Sequence, residues 1–141
     1  GSYATLARRC VDECDALVVF LGSPAEESVI EEITKEAGEG AVNLAGKTSL
    51  RETFALLSIS SAAVSNDSGL MHAAAAVQTP VIGLFGPTSY QETSPLGEQI
   101  RILSKNLDCA PCFKRTCPLE HHDCMKQLSV DEVFEVLKEF V

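Results

Sequence analysis

At Ser65-Asn66-Asp67-Ser68-Gly69-Leu70-Met71-His72, small polar residues separate a short apolar run from a helix-forming run. The apolar run, Ala62-Ala63-Val64, predicts a buried strand, and residues 70–77 predict a helix with one apolar face. The first backbone N–H groups of such a helix have no partner inside it, and its dipole favours an anion there. Gly69 lacks a side chain, so a phosphate could approach the backbone closely. The stretch therefore predicts a strand, a turn and a helix, with either a phosphate site at the turn or a plain helix cap at Asp67 or Asn66.

Strands and helices alternate on both sides of this stretch. Three capping boxes, Ser23 to Glu26, Ser49 to Glu52 and Ser129 to Glu132, mark helix starts. Apolar runs predict strands at 16–21, 41–44, 62–65, 81–85 and 100–103, and helical patterns occur at 3–14, 24–37, from 49, 70–77 and 129–140. The continuous apolar run 16–21 is typical of a strand buried on both faces. This order predicts an α/β fold, a Rossmann-like doubly wound parallel sheet with helices on both faces.

Small residues follow four of the predicted strands. They stand at Gly22-Ser23, 45–49, 66–69 and 86–89. Ligands of doubly wound folds bind beyond the carboxyl ends of the strands, so we expect a nucleotide site at this edge. The glycine fingerprint of dinucleotide-binding folds is absent.

Composition excludes several classes of partner. The 141 residues carry a net charge of −9, which argues against binding nucleic acid through its phosphates and against a polybasic membrane patch. No apolar run approaches the roughly 20 residues that cross a bilayer, and no signal peptide is recognisable. We therefore expect a cytoplasmic chain without a transmembrane segment. Gly1-Ser2 resembles the remnant of a removed tag, which makes 3–141 the expected domain.

Three motifs together resemble the carboxy-terminal half of the bacterial family 9 glycosyltransferases, and within that family the type II heptosyltransferases. They are Asn66 to His72, Thr79-Pro80-Val81-Ile82-Gly83-Leu84-Phe85-Gly86-Pro87-Thr88 and Leu44-Ala45-Gly46-Lys47-Thr48-Ser49-Leu50. The resemblance extends over nearly the whole chain. It implies the GT-B architecture, in which two Rossmann-like domains face each other and the carboxy-terminal one holds the nucleotide-sugar donor, here ADP-heptose.

The resemblance also assigns roles to individual residues. It implies that Asp67 binds heptose hydroxyls while the backbone of Ser68, Gly69 and Leu70 meets the diphosphate. A carboxylate beside a diphosphate would be repelled, whereas sugar hydroxyls donate to it favourably. The resemblance further implies that His72 donates to a phosphate oxygen or to the leaving group and that Thr88 touches the sugar or phosphates. It also implies that Glu26 binds the ribose and that adenine is bordered by Lys47, Thr48 and Leu50, with Lys47 also in reach of a phosphate. For Glu26 the capping box, and for Lys47 simple solvation, remain open as alternatives.

The same resemblance implies that this chain is the donor-binding half of an inverting enzyme. The catalytic base and the site for the lipid-linked core acceptor are expected in the amino-terminal domain, so the fragment alone should be inactive. No cofactor is required for transfer in the GT-B pattern. The full-length enzyme would then work in the cytoplasm, at the inner face of the inner membrane.

The segment 106–126 is rich in cysteine and proline and predicts a long structured loop. Its cysteines follow the pattern Cys109-x2-Cys112-x4-Cys117-x6-Cys124. Four thiols suit tetrahedral Zn²⁺, although the second pair is spaced more widely than in a usual zinc knuckle. Free thiols and disulfides are the alternatives.

Two other interpretations compete with the donor-binding half of a transferase. One is a stand-alone doubly wound nucleotide-binding or regulatory domain, and the other is an interaction module stapled by zinc. The full reading frame would separate the first from a transferase, and metal analysis of reduced protein would test the second.

Overall fold

The computed structural model describes all 141 residues, and its helices and strands alternate in the predicted order. The strands are β1 (Val18–Phe20), β2 (Ala41–Asn43), β3 (Ala63–Asn66), β4 (Val81–Phe85) and β5 (Ile100–Ser104). The helices are α1 (Ser2–Cys14), α2 (Glu27–Ala37), α3 (Leu50–Ile59), α4 (Gly69–Ala76), α5 (Tyr90–Thr93), α6 (Asp123–Lys126) and α7 (Val130–Leu137), with a 3-10 helix at Pro24–Glu26 before α2. The short helices α5 and α6 were not predicted.

The chain divides into two compact units, Gly1–Leu56, with which the terminal Val141 is grouped, and Leu57–Phe140. The five strands form one parallel pair, β1-β2, and one parallel three-stranded sheet, β3-β4-β5, instead of the single sheet that was expected. All pairings are parallel, as predicted for strands joined by helices.

In the first unit, helices α1 and α2 pack around the two-stranded sheet. Ala4, Ala7 and Ala37 form a core of small side chains against which Val18 and Phe20 are packed. The expected burial of the run 16–21 on both faces was wrong. Leu17 is 70% exposed, and β1 has only β2 as a strand neighbour.

In the second unit, β4 lies between β3 and β5 and is buried along its whole length. Phe85 and Ile82 of this strand, Met71 of α4 and Phe134 of α7 are among its fully buried side chains. A strand with a neighbour on each side and helices against it is buried, and its sequence is therefore a continuous apolar run. This is why Val81–Phe85 was predicted with its correct bounds.

All three predicted capping boxes are present. Ser49 N donates to Glu52 Oε2 at 2.7 Å while Glu52 N donates to Ser49 Oγ at 3.3 Å. The boxes at Ser23 and Ser129 have the same reciprocal pattern. Each satisfies backbone donors that the first helical turn leaves without partners. None of the helices has the length and apolar character needed to cross a membrane.

Candidate functional site

The turn between β3 and α4 leaves the amino terminus of α4 open. Ser68 takes the N-cap position in an extended conformation (φ −156°, ψ 167°) and makes no side-chain capping bond. Its hydroxyl instead lies 3.0 Å from that of Ser65. The cap is therefore not at Asp67 or Asn66. A Cβ built on Gly69 would have nothing within 4 Å, so the backbone N–H groups here can be approached from outside.

Asp67, which comes just before this helix, is half-buried and held by a neighbouring element. Thr93 Oγ1, on α5, donates to Asp67 Oδ2 at 2.8 Å and also lies 3.0 Å from the carbonyl oxygen of Ser89. Sequence reasoning missed Thr93. The spacing Ser89 to Glu92 has the form of a capping box and could have revealed α5, but nothing local connects Thr93 with Asp67.

Residues 70–72 alternate between the interior and the surface. Met71 is fully buried, whereas His72 is exposed and Leu70 is half-buried. A Cβ on Gly83 of β4 would lie 3.1 Å from Met71 Sδ, so Met71 anchors α4 against the central strand. This anchor leaves His72 at the surface, one turn into the helix.

Thr88 follows the end of β4, after Gly86-Pro87. Its Oγ1 is buried and has no hydrogen-bond partner in the chain, the only side-chain polar atom in that state among the 141 described residues. A hydroxyl can both donate and accept, and the chain supplies no partner for this one. Leaving such a group unpaired costs about 1–3 kcal/mol, which a hydrogen bond from a ligand would recover.

In the first unit, the carboxylate of Glu26 forms part of the capping box with Ser23. Its Oε2 accepts from Ser23 N at 2.8 Å and from Ser23 Oγ at 2.7 Å. These bonds, the side-chain one first, hold the pKa of Glu26 below its ordinary value. The capping interpretation is thus confirmed, and the ribose contact stays a prediction.

Lys47, Thr48 and Leu50 follow β2. Lys47 Nζ lies 3.5 Å from Glu27 Oε1 and donates to the carbonyl oxygen of Asn43 at 3.3 Å, so it is paired rather than merely solvated. Thr48 Oγ1 lies 3.0 Å from Thr53 Oγ1. Leu50 is 71% exposed at the start of α3, and its apolar side chain is therefore available for contact.

The predicted structured loop 106–126 is irregular apart from α6, and its four cysteines are free thiols. All four line one cavity of about 190 Å³, together with His121 and His122. Nowhere in the chain do three or more His, Cys, Asp or Glu side chains stand together as metal ligands. Backbone N–H groups of residues 119–122, that of His122 foremost, lower the pKa of Cys117, whereas burial first and the neighbouring thiols next raise the pKa of Cys124.

A family model described as glycosyltransferase family 9 (heptosyltransferase) matches residues 1–123. The chain belongs to glycosyltransferase family 9. Lipooligosaccharide heptosyltransferase 2 of Haemophilus influenzae is 48% identical over 105 residues, covering 72% of this chain and 30% of that protein. The protein of the same name from Campylobacter jejuni is 33% identical over 139 residues, covering 96% of this chain and 44% of that protein.

Among solved structures, that of E. coli ADP-heptose lps heptosyltransferase II matches with a TM-score of 0.83 and 32% identity, over 99% of this chain and 40% of the matched chain. The likeness confirms the resemblance to family 9 and the Rossmann-like α/β fold of the GT-B heptosyltransferases. The chain spans less than half the length of these family 9 relatives.

Proposed function

We propose that this chain is the donor-binding part of an inverting heptosyltransferase that transfers heptose from ADP-heptose to the inner core of lipopolysaccharide. The observation that carries the proposal is the open amino terminus of α4, flanked by Asp67 on one side and the uncovered Gly69 on the other. The relatives named heptosyltransferase 2 and the matched enzyme named for ADP-heptose support the choice of donor.

The backbone N–H groups of Ser68, Gly69 and Leu70 are proposed to bind the diphosphate. Hydrogen bonds to a charged group contribute about 1.5–3 kcal/mol each, so two or three of them can hold a diphosphate without a cationic loop. This matters in a chain whose net charge is −9. The electrostatic field of the whole molecule therefore repels an anionic ligand. The affinity for the diphosphate has to come from the local backbone amides.

Asp67 is proposed to bind heptose hydroxyls. An ionised carboxylate offers about four acceptor positions. Thr93 occupies one of them on Oδ2, which fixes the carboxylate and leaves positions for the sugar. Of the same unit, Thr88 is proposed to contact the sugar or phosphates, and His72 to donate to a phosphate oxygen or to the leaving group.

Glu26, Lys47, Thr48 and Leu50 remain the proposed contacts to ribose and adenine. Leu50 is the exposed apolar side chain of this set, which suits contact with a base. Glu26 has one oxygen committed to Ser23, and a ribose hydroxyl would donate to the other.

In the proposed reaction, a base outside this chain deprotonates the acceptor hydroxyl, which attacks the anomeric carbon with inversion. The bond between that carbon and the diphosphate oxygen breaks, and ADP leaves with the electron pair. Backbone N–H groups at the start of α4 would stabilise the charge that develops on the diphosphate. No metal ion is required for this step.

Calorimetric titration of the purified chain with ADP-heptose and with ADP tests the proposal. We expect both to bind, and Asp67→Asn to weaken ADP-heptose more than ADP because only the former carries the sugar. Asp12→Asn, an exposed substitution on α1, is the matched control and should leave both affinities unchanged. A chain that is folded by circular dichroism yet binds neither ligand would overturn the proposed donor site.

A further inference from the structure

The cysteine loop forms a defined cavity that the proposed sugar transfer does not use. Cys109, Cys112, Cys117 and Cys124 all contribute to its lining, although they are spread over 16 positions of the sequence. The two remaining cysteines, Cys10 and Cys14, lie on α1 in the first unit. The loop thus gathers every thiol of the second unit around one space of about 190 Å³.

The backbone of the loop is folded around these sulfurs. Phe113, Glu120 and His122 adopt positive φ values of 55°, 58° and 57°, which turn the chain sharply after Cys112 and before Cys124. Residues other than glycine rarely adopt this conformation, so the turns indicate a loop held in one specific shape.

Four cysteine sulfurs around one cavity are a donor set that suits a divalent cation of the zinc type, which prefers four sulfur or nitrogen ligands. Cationic side chains also line the cavity, namely Lys114 and Arg115. A zinc ion bound by four thiolates keeps a residual negative charge, which these two side chains would offset. Two adjacent basic residues at this cavity are notable in a chain with 11 basic and 20 acidic residues.

We propose that Cys109, Cys112, Cys117 and Cys124 bind one structural Zn²⁺ as thiolates. His121 is not part of the ligand set, since its Nδ1 already accepts from Asp123 N at 2.9 Å. In the present structure the four thiols surround the cavity without converging on one point. Binding would release the thiol protons and draw the sulfurs to about 2.3 Å from the metal, closing the cavity.

The metal would fix the turn that follows β4. Phe113 N donates to the carbonyl oxygen of Pro87 at 2.7 Å, just after Cys112. A Cβ on Gly86 would lie 3.3 Å from Cys124 Sγ, so this cysteine packs directly on the strand end. Zinc would therefore tie the loop to Gly86-Pro87, next to Thr88, both at its middle, after Cys112, and near its end, at Cys124. This inference does not depend on the proposed donor site.

The test is metal analysis of the chain purified under reducing conditions, combined with cobalt substitution. We expect stoichiometric zinc, and a cobalt form whose absorption has the thiolate-to-metal bands and intensity of a tetrahedral site with four sulfurs. Cys112→Ser and Cys124→Ser should each lose most of the zinc, while Cys14→Ser should retain it. The cobalt spectrum uses the unaltered chain, so the test does not depend on the variants folding.

Three results would overturn the zinc site. One is a freshly reduced, folded chain with far less than stoichiometric zinc and four loop thiols that react freely. The second is a disulfide among the four loop cysteines in protein purified with its native metal content preserved. The third is zinc that persists in both loop variants, because it would then be bound elsewhere.

Discussion

Thr93 Oγ1 donates a hydrogen bond of 2.8 Å to Asp67 Oδ2, across 26 positions of sequence. The two residues belong to separate elements, since Asp67 begins the β3–α4 turn and Thr93 ends α5. The bond fixes the rotamer of a half-buried carboxylate at the open start of α4. In the proposed donor site Thr93 is therefore a positioning residue, which acts on the sugar through Asp67.

Replacement of Thr93 by valine should weaken binding of ADP-heptose more than binding of ADP. Valine keeps the shape of threonine but removes the hydroxyl, so Asp67 loses the bond that orients it. A hydrogen bond to a charged carboxylate contributes about 1.5–3 kcal/mol, so the loss in Kd for ADP-heptose should be at least several-fold and at most roughly 150-fold. Calorimetry with both ligands measures the difference. Thr93→Ser keeps a hydroxyl and should restore most of the preference; equal losses for both ligands in Thr93→Val would contradict a positioning role.

Replacement of Gly69 by alanine should separate ligand binding from stability. The added methyl group meets nothing within 4 Å, and alanine favours the helix, so the melting temperature should stay the same or rise slightly. The same methyl group would stand where a diphosphate approaches the backbone. We therefore expect a loss of ADP affinity of more than tenfold, measured by calorimetry beside a thermal melt. Unchanged ADP affinity would show that the diphosphate does not lie against Gly69.

Much of the local structure could be predicted because its causes are local. A capping box needs only residues three apart, and all three boxes are present where Ser and Glu have that spacing. The apolar run at β4 reflects a strand with a neighbour on each side. Leu17 has a similar local pattern, yet it is exposed, because strand pairing is decided by distant partners.

The candidate site was predictable only in part for the same reason. The position of Asp67 and Gly69 at the strand–helix turn follows from their neighbours in sequence. The Thr93 bond and the gathering of four cysteines around one cavity depend on contacts between elements, which spacing alone does not specify. Family resemblance supplied roles for several residues, but it could not indicate that Lys47 pairs with Glu27.

Two substitutions separate the capping role of Glu26 from its proposed ribose contact. Ser23→Ala removes a hydroxyl that donates to Glu26 but leaves the carboxylate, so it should lower the melting temperature with little change in ADP affinity. Glu26→Ala removes both functions, so it should lower the melting temperature and also weaken ADP severalfold. Calorimetry and thermal melts on both variants make the comparison. If the two variants bind ADP equally well, Glu26 is only a capping residue.

Replacement of Glu132 by glutamine should alter the pH dependence of stability. Bonds from Lys105 first, at 2.5 Å, and then from Ser129 lower the pKa of Glu132 from 4.5 to about 2. Because the pKa is lower in the folded chain than in the unfolded chain, the ionised carboxylate stabilises the fold at pH values above its unfolded-state pKa. That stabilisation is lost as the pH falls from about 4.5 towards about 2.

Thermal melts at several pH values measure the difference between the parent chain and Glu132→Gln. The parent should melt at the higher temperature at pH 7, and the gap should close as the pH approaches 2. Glu98→Gln, an exposed position outside any helix or strand, serves as the control and should melt like the parent throughout. A gap that is constant from pH 7 to pH 2 would mean that the charge of Glu132 does not contribute.

Replacement of Gly86 by alanine should destabilise the second unit through a steric conflict with the cysteine loop. The new Cβ would lie 2.5 Å from Met125 Sδ and 2.8 Å from Met125 Cγ, closer than atoms can approach without movement. Because Met125 is a flexible, half-buried side chain that can move partly aside, the cost in the free energy of unfolding should lie at the lower end of the usual range for overpacking, at about 1 kcal/mol. Urea unfolding of Gly86→Ala, Met125→Ala and the double variant measures the coupling. Because Met125→Ala removes the atoms in conflict, the double variant should lose less stability than the sum of the two single losses. Additive losses would mean that the loop does not pack on the end of β4, and the proposed tie between the zinc site and the turn at Thr88 would lose its physical basis.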